Sequence, residues 1–149
     1  MDITISRQSV CMGDDVEDHT ITYTVNDSAR FSGIFRDLIE QRYFPSIMGN
    51  DVVWTLLCDG EELMSWKTKE DKLYSRFVTG EPAILSVERR KSAAIYFSYY
   101  SSPIKRAQQI FKMFGGSKSH IWHEGFMSEY ESYCIPQAVE DDWRKTLLR

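Results

Sequence analysis

Two histidines lie three residues apart in the segment SHIWHEG, a spacing that also occurs in metal sites. They are His120 and His123, and Glu124 follows the second. Two ligands on one helical turn need a third strong ligand from elsewhere, and the zincin pattern H-E-x-x-H is absent. On a strand, the two rings would point to opposite faces. We therefore expect no structural metal and keep His120 and His123 only as weak metal candidates.

The cysteines form neither a redox motif nor a recognisable nucleophilic site. Cys11, Cys58 and Cys134 are far apart in the sequence, and an odd number cannot complete a disulfide framework. This usage is typical of a reducing compartment. Cys58 and Cys134 stand in apolar, strand-like contexts, so we predict that they are small buried side chains.

No glycine-rich phosphate-binding pattern is present. The run Gly115-Gly116-Ser117-Lys118 follows a predicted helix, so it cannot direct the amides of a helix N-terminus at a phosphate. The sequence therefore predicts no catalysis and no cofactor. The alternative is a small enzyme or ligand-binding domain that uses the segment His120–Glu124.

Acidic side chains form two clusters suited to a basic partner. One cluster lies in MGDDVED between two predicted strands, where buried unpaired carboxylates would be too costly and exposure is expected. The other lies in the last predicted helix, where acids in the first turn also favour the helix dipole. The partner-binding candidates are Asp14, Asp15, Glu17 and Asp18 in the first cluster, and Glu140, Asp141 and Asp142 in the second.

Basic side chains suggest a nucleic-acid-binding accessory protein as another alternative. The predicted helix 104–114 carries several of them, and Arg89-Arg90-Lys91 precedes it. However, the net charge is −4 and the sequence pI is about 5.4. Binding to nucleic acid depends mainly on neutralising phosphates, so a nucleic-acid partner is not expected.

Aromatic residues make up 13% of the 149 residues, and they anchor both cores and interfaces. The N-terminal segment MDITISRQSV lacks the cationic start and apolar stretch of a signal peptide. The longest apolar run, 93–97, is too short to cross a bilayer. We expect a cytoplasmic protein without membrane contact, and the oligomeric state stays open.

Period-two alternation predicts strands over 3–10 and 19–25, joined as a hairpin by the acidic loop. Asn26-Asp27-Ser28 offers turn and N-cap chemistry, and the following apolar spacing predicts a helix that Pro45 ends. A nearly all-apolar strand over 51–58 comes next, with Asp59-Gly60 as the hairpin turn and 61–66 as the return strand.

The second half is less regular. The charged run 67–72 is expected to be a solvated loop or a short helix, and strands are predicted over 83–90 and 92–100. Ser102-Pro103 opens the helix 104–114, and residues 115–133 are not assigned. The last helix starts near Pro136, with Val139, Trp143 and Leu147 on one face.

This order predicts an α+β fold with a mostly antiparallel mixed sheet and packed helices. Its first half, a hairpin, a helix and a second hairpin, resembles the β-grasp arrangement of ubiquitin-like domains. The resemblance covers about half of the chain, concerns element order alone and implies no function. Because no linker-like stretch divides the chain, residues 1–149 are predicted to form a single domain.

The absence of catalytic motifs, the acidic clusters and the aromatic content together predict a protein–protein interaction role without catalysis. The specific expectation is a small cytosolic immunity or inhibitor protein that covers a toxin, for example a basic nuclease. Such a protein needs complementary charge for fast association and aromatic anchors for slow dissociation.

Overall fold

The structure is a computed structural model that describes residues 2–10, 18–26, 29–45, 52–75, 94–100, 135 and 137–147. The predicted strand 83–90, the predicted helix 104–114 and the segment 115–133 lie outside these ranges. The described strands are β1 (Asp2–Arg7), β2 (Ile21–Thr24), β3 (Val53–Cys58), β4 (Glu61–Lys67), β5 (Lys72–Ser75) and β6 (Ala94–Tyr100). The described helices are α1 (Phe31–Glu40), α2 (Gln137–Asp141) and α3 (Trp143–Leu147).

The described strands form one sheet in the order β2-β1-β6-β3-β4-β5. β1 runs parallel to β6, and every other pairing in this order is antiparallel. The sheet is therefore mixed and mainly antiparallel, as predicted for an α+β protein.

β1 and β2 form the predicted pair, but both are shorter than expected. Ile3 and Ile5 are buried, while Thr22 and Thr24 are exposed, in agreement with the period-two pattern. Ahead of β2, the Asp18 carboxylate accepts a hydrogen bond from the backbone N–H of Thr20 at 3.0 Å. Such a side-chain bond replaces a ladder bond, so β2 begins only at Ile21.

The hairpin of β3 and β4 has the predicted turn. Asp59 and Gly60 both have positive φ, 51° and 78°, as a two-residue type I′ turn requires. Side chains on both faces of β3 are buried, which confirms the prediction from its apolar run. Cys58 is fully buried, also as predicted.

The charged run 67–72 contains the predicted exposed connection, but the strand β5 that follows it was not predicted. Lys67 ends β4 and Lys72 begins β5, and the intervening residues form a tight turn in which the N–H of Asp71 donates to the carbonyl of Thr68 at 3.2 Å. The charged residues at both ends of this turn resemble a solvated loop in the sequence. They nevertheless belong to the hairpin of β4 and β5, in which Leu73 is buried.

Helix α1 has the predicted apolar stripe, and its ends differ from the prediction. The N-cap is Arg30, which makes no side-chain capping bond, so the expected cap at 26–28 was wrong. The C-terminus lies ahead of Pro45: the N–H groups of Arg42 and Tyr43 donate to the carbonyls of Ile39 and Leu38 at 3.1 and 3.0 Å. These two bonds form a Schellman motif, which ends the helix without help from proline.

A cluster of rings joins α1 to the sheet. The Phe35 ring lies 4.8 Å from that of Phe97 on β6, and Phe44 lies 4.9 Å from Phe97 and 5.0 Å from Trp54 on β3. All four side chains are buried. Aromatic pairs at these separations add to the stability gained from burial alone.

The predicted last helix is interrupted at Asp142 and forms α2 and α3. Trp143 and Leu147 are half-buried on α3, and the Val139 side chain lies outside the described part of the chain. None of the described helices has the length and apolar character needed to cross a bilayer.

Candidate functional site

A groove of about 850 Å³ lies beside strand β2, between the C-terminal half of α1 and helix α3. We call it the acidic groove. Its lining combines apolar, aromatic and charged side chains, and comprises Ile21, Thr22, Tyr23, Thr24, Asp37, Glu40, Gln41, Trp143, Arg144 and Leu147.

Hydrogen bonds fix the wall between β2 and α1. The Tyr23 hydroxyl donates to the Asp37 carboxylate, and the Gln41 side-chain amide donates to the same carboxylate at 2.7 Å. Burial raises the pKa of Tyr23 above its ordinary value, and the neighbouring Asp37 raises it further. Tyr23 therefore remains a neutral hydrogen-bond donor that orients the carboxylate.

An exposed ion pair forms the wall on α3. The Arg144 guanidinium donates to the Glu40 carboxylate on α1, and this hydrogen bond raises the pKa of Arg144. The same guanidinium lies 5.2 Å from the centre of the Trp143 ring. Because both charged partners are well exposed, the pair positions α3 more than it stabilises the fold.

The charges of the lining do not balance. Among the described lining residues, Asp37 and Glu40 contribute two carboxylates, and Arg144 contributes one cation. Arg144 donates its hydrogen bond to Glu40 and also interacts electrostatically with Asp37, which accepts hydrogen bonds from Tyr23 and Gln41. The described part of the lining therefore has two acidic side chains for one basic side chain.

Helix α2 is held against α1 by a second, more buried ion pair. Arg36 donates to the Glu140 carboxylate at 3.0 Å and to that of Asp71 at 2.7 Å. The Trp66 indole N–H also donates to Asp71, at 3.0 Å. Burial acts to lower the pKa of Arg36, but the hydrogen bonds and charges of Asp71 and Glu140 have the larger effect, so the pKa of Arg36 is raised. Burial likewise raises the pKa of Glu140, which Arg36 offsets only in part.

Glu140 differs from the other described members of the acidic clusters. It has only 6% of its surface exposed, and its carboxylate accepts hydrogen bonds from Arg36 instead of facing solvent. Its charge serves the attachment of α2.

The other described members of the acidic clusters are exposed and lie close to the groove in sequence. Asp18 precedes β2 by three residues, and hydrogen bonds from Thr20 lower the pKa of its carboxyl. Asp141 and Asp142 directly precede Trp143, and Asp142 pairs with Lys145 at 3.2 Å. In the sequence, these residues of both predicted clusters therefore lie within three positions of residues that line the groove.

The remaining predicted site residues fall outside the described ranges. They are Asp14, Asp15 and Glu17 of the first acidic cluster, the weak metal candidates His120 and His123, and the basic residues of 89–91 and 104–114. Within the described ranges, no group of three or more His, Cys, Asp or Glu side chains is placed to hold a metal ion.

Comparison of the chain with protein-family models, with curated proteins and with solved structures finds no match.

The residues of the groove that sequence reasoning missed are Asp37, Glu40 and Arg144. The two acids are three positions apart on the polar side of a predicted helix, where isolated charges are common and indicate nothing by themselves. Glu40 and Arg144 are separated by 104 positions in the sequence, and no local sequence pattern predicts their pairing.

Proposed function

We propose that this protein is an inhibitor, of the immunity-protein type, that neutralises a basic toxin by covering it and performs no catalysis itself. The observation that carries the proposal is the acidic groove, in whose described lining two carboxylates share one guanidinium beside the half-buried side chains of Trp143 and Leu147. Complementary charge speeds the encounter of two proteins, and aromatic anchors slow their separation.

The toxin is taken to be basic, for example a nuclease whose active site attracts phosphate. Asp18 and Asp141 extend the negative charge beyond the lining of the groove, and the whole chain carries −4. An acidic inhibitor can compete with nucleic acid for a basic surface, because both offer closely spaced negative charges.

The proposal includes a β-grasp-like arrangement of the first half, with helices packed on the sheet. Its support is the strand order β2-β1-β6-β3-β4-β5, in which β1 and β6 are parallel neighbours, and the contact between Phe35 and Phe97. This arrangement would act as a rigid scaffold for the groove.

A cytoplasmic location is also part of the proposal. Its support is the odd number of cysteines and the buried thiol of Cys58. An inhibitor of this kind acts where a toxin would otherwise harm the cell that makes it.

The test is co-expression with the products of neighbouring genes. Each open reading frame beside the gene is expressed alone and together with this protein, and growth is measured. One neighbour should arrest growth alone, should be basic, and should lose its toxicity on co-expression. If no neighbour is toxic, or if co-expression leaves the toxicity unchanged, the proposal is wrong.

Titration with the purified toxin separates inhibition from catalytic detoxification. An inhibitor should abolish the toxin's activity at one chain per toxin, whereas an enzyme would act at far lower ratios. Trp143→Ala should weaken the complex about tenfold or more, as expected when a central aromatic anchor is lost. The control is Tyr96→Ala, because Tyr96 is 42% exposed on β6, outside the groove.

A further inference from the structure

We infer that the acidic groove receives an extended, basic segment of the partner, which adds to the sheet as a new strand beside β2. The inference rests on the proposed function only in taking the partner to be basic. It names the segment of the partner that is bound and the way in which the bonds are made.

The first observation is the position of β2 at the border of the sheet formed by the described strands. Among the described strands it has one neighbour, β1. An edge strand presents backbone N–H and C=O groups on its outer side, and these groups can pair with an added strand. β2, with the sequence ITYT, contains neither proline nor lysine, the residues that commonly protect an edge.

The second observation is that the groove follows this strand along its whole length. All four residues of β2 belong to the lining, and α1 and α3 form the opposite side. The volume of about 850 Å³ lies within the range of about 300–1,000 Å³ that ligand sites occupy. An added strand would place every second side chain in this space, because successive side chains point to opposite faces.

The third observation is the charge of the groove, which decides the chemistry of the added strand. Asp37 accepts hydrogen bonds from Tyr23 and Gln41, and Arg144, the one basic side chain of the described lining, donates its hydrogen bond to Glu40 and interacts with Asp37 only electrostatically. Trp143 and Leu147 supply apolar surface beside it. The segment that fits alternates lysine or arginine with apolar residues.

The test uses seven-residue peptides with blocked ends. One alternates lysine and valine, and a matched control alternates glutamate and valine. Binding is measured by calorimetry at low salt, and the site is mapped by hydrogen exchange of the β2 amides. The lysine peptide should bind about tenfold or more tightly than the glutamate peptide and should slow exchange over 21–24. Equal binding of the two peptides, or protection elsewhere only, would overturn the inference.

Backbone methylation tests the added strand itself. Two versions of the lysine peptide carry N-methyl groups, one at every lysine and one at every valine. Only one set of N–H groups can face β2, since these groups alternate along a strand. One version should therefore lose binding while the other keeps it. If both or neither lose binding, the segment does not pair as a strand.

Two matched variants of the protein test the role of the groove charge. Glu40→Gln removes a carboxylate from the lining and should weaken the lysine peptide about threefold. Glu70→Gln makes the same change in the exposed β4–β5 turn, at the other border of the described sheet, and should leave binding unchanged. Equal effects of both changes would mean that net charge alone drives binding, which would contradict a built site.

The outcomes separate this inference from the proposed function. If a toxin is neutralised but protects amides away from β2, the inference of strand addition is refuted and the inhibitor function is supported. If the peptide binds and no neighbouring gene encodes a toxin, binding in the groove is supported and the inhibitor function is refuted. Sedimentation of the protein alone tests a second copy as occupant, and a dimer that excludes the peptide would overturn the inference.

Discussion

Arg42 lies directly after α1 with a φ of 59°, in the left-handed region that side chains with a Cβ atom disfavour. It occupies the position of the Schellman motif where glycine is most common. Because the residue is exposed, we predict that Arg42→Gly stabilises the protein by about 0.5–1 kcal/mol. The measurement is the free energy of unfolding in urea.

Arg42→Val provides the matched control, because a β-branched residue is least tolerant of positive φ. It should lower the free energy of unfolding below that of the unchanged protein. If Arg42→Gly and Arg42→Val shift stability in the same direction, the backbone conformation at this position is not what limits stability.

The ion pair between Arg36 and Glu140 is a second residue-scale feature. Arg36→Met leaves the Glu140 carboxylate buried without a cation, and we predict a loss of about 2–3 kcal/mol. Glu140→Met should cost less, because Arg36 retains Asp71. In a double-mutant cycle, the free energy of unfolding lost by the double variant should be about 1 kcal/mol smaller than the sum of the two single losses. Simple additivity would show that the pair does not couple α2 to α1.

Glu140 also shows where sequence reasoning fails for single residues. Its neighbours Asp141 and Asp142 are exposed, and nothing in the run of three acids distinguishes the first. Its burial depends on Arg36, 104 positions away, and on the docking of α2. By contrast, Cys58 was predicted correctly because its burial follows from the local pattern of an apolar strand.

At the scale of elements, Tyr43 links the segment after α1 to the segment before β2. Its hydroxyl donates to the carbonyl of His19 at 2.5 Å. Burial raises the pKa of Tyr43 to about 12, from an ordinary value of 10.0, although Arg7 acts in the opposite direction. The folded state therefore holds this proton more tightly than the unfolded state does.

The sign of the pH effect follows from this difference. Below pH 10 the contribution of Tyr43 is fully present, and it is lost as the pH rises from about 10 through about 12. Tyr43→Phe should lower the melting temperature at pH 8, since a hydrogen bond is lost. Between pH 10 and 12, the melting temperature of this variant should decline less with pH than that of the unchanged protein. Tyr96→Phe is the control and should leave the decline unchanged. A decline that is equally steep in Tyr43→Phe would contradict the prediction.

Elements were predictable where the pattern was local and uniform. The type I′ turn and the strands beside it follow from the dipeptide Asp59-Gly60 between apolar runs. Asp and Gly are residue types that favour the positive φ observed here. β5 was missed because its charged flanks resemble a solvated loop. The cap of α1 was misplaced because Asn, Asp and Ser favour both caps and turns, and the carbonyl of Asn26 accepts from Ala29 in a turn instead.

At the scale of the whole molecule, the hairpins could be predicted and the sheet order could not. The parallel pairing of β1 with β6 joins Ile5 to Ile95, across most of the chain. Both strands show only alternation or apolar character, which says nothing about the partner. The acidic groove depends on other long-range contacts, such as that of Arg144 with Glu40, so its site could not be assembled from sequence alone.

The last prediction concerns the charge of the whole molecule during association with the proposed toxin. Asp18→Asn together with Asp141→Asn removes two exposed negative charges next to the groove. Charges at the rim of an interface act mainly on the association rate and are screened by salt. We expect association to slow about threefold to tenfold at low ionic strength, with little change in dissociation, and the effect to shrink as salt is added. Stopped-flow mixing across a salt series measures both rates.

The matched control is Asp59→Asn together with Glu70→Gln, which removes two exposed charges in the β3–β4 and β4–β5 turns. Both variants change the net charge of −4 by the same amount, so a difference between them reports position and not total charge. The Asp18 and Asp141 variant should be the slower one if the basic partner approaches the groove, because these two residues flank residues of the groove lining in the sequence. Equal association rates for the two variants would mean that net charge alone governs association. This result would contradict the proposal that the acidic groove is the contact surface.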